Sequence, residues 1–279
     1  LHSLRRRQRQ MCIRDSEYRY IFEPFYVTHV PLCKNFRAVQ YIRPDDKRED
    51  FLEIVKLILS GNIRNSWADH LNRRLISNKR IIKAVRANLM LKWIHVNFPE
   101  MPIIFVIRHP CAVAYSKMRL KWQSYVDILL EQYDLVEDFL EQFLSDIKKI
   151  RDSYEKHILQ WCIENYVPLK QFKMREIHII FYENLCLYPV EELHNLFSYI
   201  NKSFDKRVLN YLRIPALTAR KDSAIVMGDS PVDSWKKHLS KEKIRKAIKI
   251  LEIFDMDEIY NEDVLPDTNA LRKFMGERT

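Results

Sequence analysis

Glycine is scarce in this chain. The 279 residues include only 3, where an average composition near 7% would give about 20. Gly61, Gly228 and Gly276 each stand alone, so neither a GxGxxG nor a GxxxxGK[ST] phosphate loop can be written from this sequence. Collagen-like, Gly/Ser-linker and most all-β readings, which need frequent glycine turns, become unattractive for the same reason. Cysteine is sparse and unpatterned. Cys12, Cys33, Cys111, Cys162 and Cys186 are odd in number and form no CxxC pair. That points to neither a zinc site nor a disulfide framework, and no metal is expected. A reducing, cytoplasmic setting fits best. No apolar run reaches the ~18 residues that would cross a bilayer, and the Arg-rich N-terminus has no apolar stretch behind it to make a signal peptide.

What is present is ordinary for a packed chain, with one bias. Hydrophobic residues make up 47%, charged residues 30% and aromatics 12%, and the net charge is +10. The aromatics argue against disorder. The charge favours an anionic partner such as a nucleotide, a nucleic acid or an acidic polymer, and simple solubility explains it about as well. Leu1 to Ser16, LHSLRRRQRQMCIRDS, holds five Arg and one Asp and so supplies four of those net charges. It resembles translated adapter read-through at the ends of assembled sequence fragments and is set aside from fold reasoning. The competing reading is a basic arm that binds nucleic acid. On the adapter reading the native chain began upstream, and residues 17–279 form a single domain with no repeat and no linker.

Four short runs read as strands: Tyr18–Phe22, Arg80–Val85, Pro102–Ile107 and Ile177–Phe181. Their near-continuous apolar character suits a parallel sheet covered on both faces. Helical patterns fall between them. Asp45 or Asp46 can cap a helix over Lys47–Ser60, with Gly61 just past its end. Further helices are expected over Ala87–Phe98, Ala112–Trp122, Leu135–Ile150, Tyr154–Tyr166, Val190–Ile200, Lys206–Leu212 and Lys241–Phe254. Strands alternating with helices predict an α/β, doubly wound parallel sheet flanked by helices.

In such sheets ligands bind beyond the carboxyl ends of the strands. The residues there are Glu23, Arg86, Arg108, and Tyr182 with Glu183. Two cations and two carboxylates thus converge on one sheet edge. Arg108 is followed by Pro110, suited to the first turn of a helix, and by Ser116 eight residues on. A guanidinium, a hydroxyl and free helix N–H groups suit a phosphate. The plain alternative is a Pro-initiated helix with Ser116 merely packed. His109 receives no role, since a lone His beside an Arg is more often structural.

These residues resemble a family. Arg-x-Pro followed by Ser at the sixth position after the Pro, at the end of an apolar strand, is similar to the 3′-phosphate-binding motif of sulfotransferases, which use 3′-phosphoadenosine 5′-phosphosulfate (PAPS). Here it reads IIFVIRHPCAVAYSKM, residues 103–118. YIFEPF, residues 20–25, resembles the strand-end segment of carbohydrate sulfotransferases whose Glu is a candidate catalytic base. KAVRANLML, residues 83–91, resembles the strand–helix unit before the motif. FYENLCLYP, residues 181–189, resembles the Tyr-Glu-Asp-Leu strand end, with Asn184 in place of Asp. RKDSAI (220–225) and WKKHL (235–239) resemble the C-terminal segment where a basic loop closes on the nucleotide, although the Gly-rich pairing of cytosolic members is missing. The resemblance covers roughly residues 17–265.

The resemblance implies a P-loop-like fold and sulfuryl transfer from PAPS to an acceptor hydroxyl, with a carbohydrate as the favoured acceptor. Glu23 is the implied base, Arg108 and Ser116 hold the 3′-phosphate, and Arg220 and Lys221 cover it from a loop. Lys83 and Arg86 are weaker candidates for substrate contacts, and a Lys83 whose stem packs while its head reaches water is the simpler account. Family members open with a strand and a Gly-containing phosphate–sulfate loop that has no counterpart here. The first strand and that loop are therefore expected to be missing, and the chain to show little or no turnover. Two other classes stay open: a basic nucleic-acid-binding protein, for which Lys236–Lys249 is the candidate surface, and a P-loop kinase-like phosphotransferase.

Overall fold

The computed structural model describes residues 18–72, 76–212 and 230–277. The leader 1–16, Arg220 and Lys221 lie outside them. The chain divides into two compact units, Leu1–Asn97 and Phe98–Thr279. The described strands pair as two parallel ladders, one in each unit. Among the described residues no helix is long and apolar enough to cross a membrane.

In the first unit, β1 (Tyr18–Phe22) pairs with β2 (Lys79–Lys83), Tyr18 opposite Lys79 and Phe22 opposite Lys83. The crossover carries α1 (Glu49–Leu59) and α2 (Ser66–Asp69). Phe51, Val55 and Ile58 bury one face of α1 at helical spacing, and Glu49 and Asp50 suit the positive end of its dipole. The expected cap is displaced. Arg48 occupies the N-cap position without a side-chain cap, and Asp46 instead accepts from the Arg48 N–H at 2.8 Å. At the other end Gly61 takes φ +75°, which lets its N–H reach Ile58 O and the Asn62 N–H reach Leu57 O. α3 (Leu91–Asn97) follows a single 3-10 turn and stops before Pro99.

Arg19 is the charged group at the centre of this unit. It points from β1 into the interior and is 2% exposed. Its guanidinium donates to Asp69 at 2.6 Å, to Ile63 O at 2.5 Å, and to Gly61 O. Burial pushes the Asp69 carboxyl up, but the hydrogen bonds from Arg19, the Asn65 N–H and Asn72 outweigh it and hold Asp69 below its ordinary value.

In the second unit, β3 (Ile104–Ile107) pairs with β4 (His178–Phe181), Ile104 opposite His178 and Ile107 opposite Phe181. The sequence suggested a strand covered on both faces. Only alternate residues are buried: Phe105 and Ile107 face the core, while Ile104 and Val106 are 43% and 54% exposed. An apolar run fixes the strand but not how many of its faces are packed. α4 (Pro110–Arg119) follows β3, and α5 (Ser153–Gln171) packs against it. α5 starts at Asp152, which accepts from the N–H groups of Tyr154 and Glu155. Ile158, Leu159, Cys162, Ile163 and Val167 are wholly buried along it.

The helix expected over Leu135–Ile150 is broken into a short α turn, a π turn over Val136–Leu140, a 3-10 turn and a last α turn. Leu135 and Leu140 are both wholly buried. They stand five positions apart, a spacing that a regular α-helix would put on different sides and a π turn puts on one.

His109 caps α4. Its Nδ1 accepts from the Cys111 N–H at 3.2 Å, so the proton sits on Nε2, which donates to Asn261 O at 3.1 Å. The ring stacks on Trp235 at 4.3 Å and meets the edge of Tyr260 at 5.0 Å. Burial, aided by the charges of Lys236 and Arg108, pushes its pKa down to about 4.

Two predictions follow from these buried groups. Asp69→Ala strands the Arg19 charge and should lower the unfolding free energy by about 3 kcal/mol in urea titrations; a loss under about 0.5 kcal/mol, the level of an ordinary surface change, would show the pair to be incidental. His109 stays neutral in the fold while the unfolded chain protonates it near its ordinary value of 6.5. Stability is therefore complete above about 6.5 and is lost as pH falls toward about 4, by up to ~1.4 kcal/mol per pH unit. His157 and His178 are also shifted down, and Glu183 is shifted up and opposes them. The measurement is thus the difference between wild type and His109→Asn, which keeps a capping acceptor. Identical pH slopes would refute the assignment.

Candidate active site

Each ladder ends in its own group of charged residues. In the first unit the chain turns sharply after β1. Glu23 adopts φ +44°, a left-handed conformation that costs a non-glycine residue about 1 kcal/mol or more. Its N–H donates to Lys83 O at 2.7 Å, which locks the turn to the end of β2. The carboxylate is buried and meets three donors from the partner strand end. The Val85 N–H lies 3.2 Å from Oε2, Arg86 Nη1 lies 3.2 Å from Oε2, and Lys83 Nζ lies 3.6 Å from Oε1. Glu23, Lys83 and Arg86 therefore form one cluster. Arg86 lies over the Tyr26 ring at 3.8 Å, and Lys83 over Phe22 at 4.8 Å. Burial and the Glu23 charge push the Tyr20 hydroxyl up to about 12, so Tyr20 stays a neutral donor near this carboxylate.

In the second unit the group forms where β3 runs into α4 and β4 into α6 (Tyr182–Leu187). Arg108 is half-buried. Nη2 donates to Pro231 O at 2.8 Å, and the guanidinium lies 4.5 Å from the centre of the Tyr182 ring. Its Nε is buried and has no hydrogen-bond partner. The backbone carbonyl of Arg108 accepts from Trp161 Nε1 at 3.0 Å. Glu183 is completely buried. One carboxylate oxygen accepts the His109 N–H at 2.9 Å and the other the Tyr260 hydroxyl at 2.7 Å. Burial pushes Glu183 up despite those bonds, and burial together with the Glu183 charge pushes Tyr260 up. Tyr182 is raised to about 12, again mainly by burial.

Glu183 is therefore not a free group at the mouth of a site. It clamps the backbone that presents Arg108. Ser116 sits in the second turn of α4 and is exposed, and no hydrogen bond joins it to Arg108. The capping and stacking roles of His109, Trp235 and Tyr260 were not anticipated. His109 is adjacent to the motif, and its placement before Pro110 was the available signal. Tyr260 lies far along the chain with no local pattern to mark it. Among the described residues no group of three or more His, Cys, Asp or Glu is arranged to hold a metal ion.

The helix offered as a nucleic-acid surface, α7 (Lys241–Ile253), buries Ile244, Ala247, Ile250 and Leu251 on one face. Its lysines are partly neutralised, Lys246 lying 3.1 Å from Glu155 and 3.7 Å from Glu242. That is the pattern of an ordinary solvated helix.

No curated protein sequence matches the chain. Among solved structures, the sulfotransferase domain from the curacin biosynthetic pathway is similar at 15% identity and a TM-score of 0.34, covering 81% of this chain and 71% of that one. The family profile of the sulfotransferase domain matches residues 34–258, a span that contains Lys83, Arg86, Arg108, Ser116, Arg220 and Lys221 and begins after Glu23. With well over half of its length matched, the chain belongs to the sulfotransferase domain family.

Proposed function

We propose that the chain derives from an enzyme that transfers a sulfuryl group from PAPS to an acceptor hydroxyl, with a carbohydrate as acceptor. Its α/β units with all-parallel pairing belong, on this reading, to a P-loop-like doubly wound architecture. The observation that carries the proposal is the setting of Arg108. Its guanidinium stands at the end of β3, before a Pro-initiated helix, with a buried Nε that lacks an acceptor. The side chain as a whole is only half-buried, and the accessible edge of such a guanidinium can donate charge-assisted hydrogen bonds to a phosphate oxygen. Ser116 adds a hydroxyl for the same 3′-phosphate, and Arg220 with Lys221 covers the nucleotide.

Sulfuryl transfer asks for in-line geometry and charge stabilisation rather than covalent catalysis. Glu23 takes the proton from the acceptor hydroxyl as its oxygen bonds to sulfur. The sulfur–oxygen bond to the 5′-phosphate breaks, and adenosine 3′,5′-bisphosphate leaves. Lys83 and Arg86 hold the Glu23 carboxylate in place and offer positive charge to the acceptor side. With only three isolated glycines, the chain has no Gly-rich loop for the transferred group, so nucleotide binding should exceed turnover.

Calorimetric titration with adenosine 3′,5′-bisphosphate tests the nucleotide assignment. Arg108→Ala should weaken binding by about 1.5–3 kcal/mol, the worth of a charged hydrogen bond. Unaltered affinity would sink the phosphate-site assignment. Glu23→Gln should leave nucleotide affinity near normal and cut any measurable sulfuryl transfer by roughly 100-fold; equal transfer rates would remove Glu23 as base.

A further inference from the structure

β3 is an edge of its sheet. Among the described residues the second unit's ladder holds only β3 and β4. The His178 N–H donates to Ile103 O at 2.9 Å, so in this parallel register the odd-numbered residues of β3 turn their backbone groups toward β4. Ile104 and Val106 turn theirs the other way, and among the described residues no hydrogen bond reaches them. The same two residues carry exposed apolar side chains, 43% and 54% accessible. Their register partners on β4 are covered. Ile180 is buried, and His178 stacks at 5.0 Å on Tyr199 of the helix Pro189–Tyr199. The cover therefore stops at β4.

The edges of the other ladder are guarded. On β1 the Tyr20 N–H, which points away from β2, is taken by Asn72 Oδ1 at 2.7 Å. On β2 three of the five residues, Lys79, Arg80 and Lys83, are exposed cations. Covered backbone groups and edge charges are ordinary devices against strand-to-strand association. β3 has neither, since Ile104-Phe105-Val106-Ile107 contains no charge. An uncapped apolar edge is a template for another strand. Its occupant follows from self-complementarity. A strand without charge meets no repulsion from its own copy, whereas β2 laid against itself would bring cations together.

We propose that β3 is a homotypic docking edge, and that a second copy of the chain pairs with it antiparallel about a two-fold axis. Centred on Phe105, this pairing sets Ile104 of each copy opposite Val106 of the other. Each such pair exchanges two N–H···O=C bonds, and the two ladders become one four-stranded sheet. The Ile104 and Val106 side chains of both copies share a face and cover one another. Pro102 has no N–H to give, and β3 ends at Ile107, so the contact is short. A contact of so few residues falls below the ~800 Å² per partner of a standard interface, and the +10 charge of each copy opposes it. The dimer is accordingly weak, forms at high micromolar protein, and tightens as salt screens the charge. It is independent of the sulfuryl-transfer reading.

Sedimentation velocity and amide hydrogen exchange on the full chain test it. Raising the protein from low to high micromolar should move the sedimenting species from monomer to dimer, more so in high salt. The Ile104 and Val106 amides should gain protection in step. Val106→Lys, an exposed change that sets a cation against Ile104 of the other copy, should weaken association about tenfold or more, and Val106→Ile should keep it. Ile104→Lys takes its place if Val106→Lys fails to fold. A chain that stays monomeric throughout overturns the proposal. So does a dimer that the lysine variant leaves unchanged, or one in which Ile104 and Val106 gain no protection, because another surface then holds it. Protection of these amides at every concentration overturns it as well, and assigns the edge to a segment of the same chain.

Discussion

Glu183 has no access to water, and the second unit is organised around meeting its needs. Its two carboxylate oxygens take their hydrogen bonds from elements far apart in sequence: the backbone where β3 enters α4, and the hydroxyl of Tyr260. A buried carboxylate without such donors is prohibitively costly. Satisfying this one group therefore fixes the end of β4 beside the end of β3 and draws the C-terminal segment over both. Trp235 and Tyr260 then close on His109, and Arg108 leaves the structure at a defined point.

The first unit solves the converse problem. Arg19 is a buried cation, and its guanidinium gathers Asp69 and the carbonyls after α1. Glu23, the residue directly after the same strand, is a buried anion met by donors from the β2 end. Opposite charges, each with dedicated partners, bracket a single five-residue strand. This strand is thus held by polar contacts at both ends as much as by its apolar residues, and the left-handed turn at Glu23 is tolerated because those contacts over-determine it.

Much of the architecture could be read before any coordinates. The four strands stand where apolar, β-branched runs placed them, and Gly61 closes α1 as its position suggested. Where the reading failed, a non-local effect decided. The π turn between Leu135 and Leu140 serves a core that the window 135–150 does not contain. The exposed face of β3 reflects what packs against the strand rather than its composition. At the candidate site, Glu23, Lys83 and Arg86 were each singled out by position at strand ends, and the parallel register then joins them. Ser116 was placed by spacing and lies on the expected helix. Tyr260 and Trp235 were beyond reach as partners of His109, because aromatic contacts across more than a hundred residues leave no periodic trace.

The fastening of the backbone from Arg108 to Pro110 has an entropic side. The Arg108 carbonyl is held by Trp161, the His109 N–H by Glu183, and the His109 ring by Asn261 and two aromatic neighbours. Pro110 fixes its own φ. The guanidinium is itself braced by Pro231 O and the Tyr182 ring, so engaging an anion there freezes few side-chain torsions and no main-chain ones. The larger ordering penalty has been met during folding, and the rigid turn leaves more of each phosphate contact to appear as affinity.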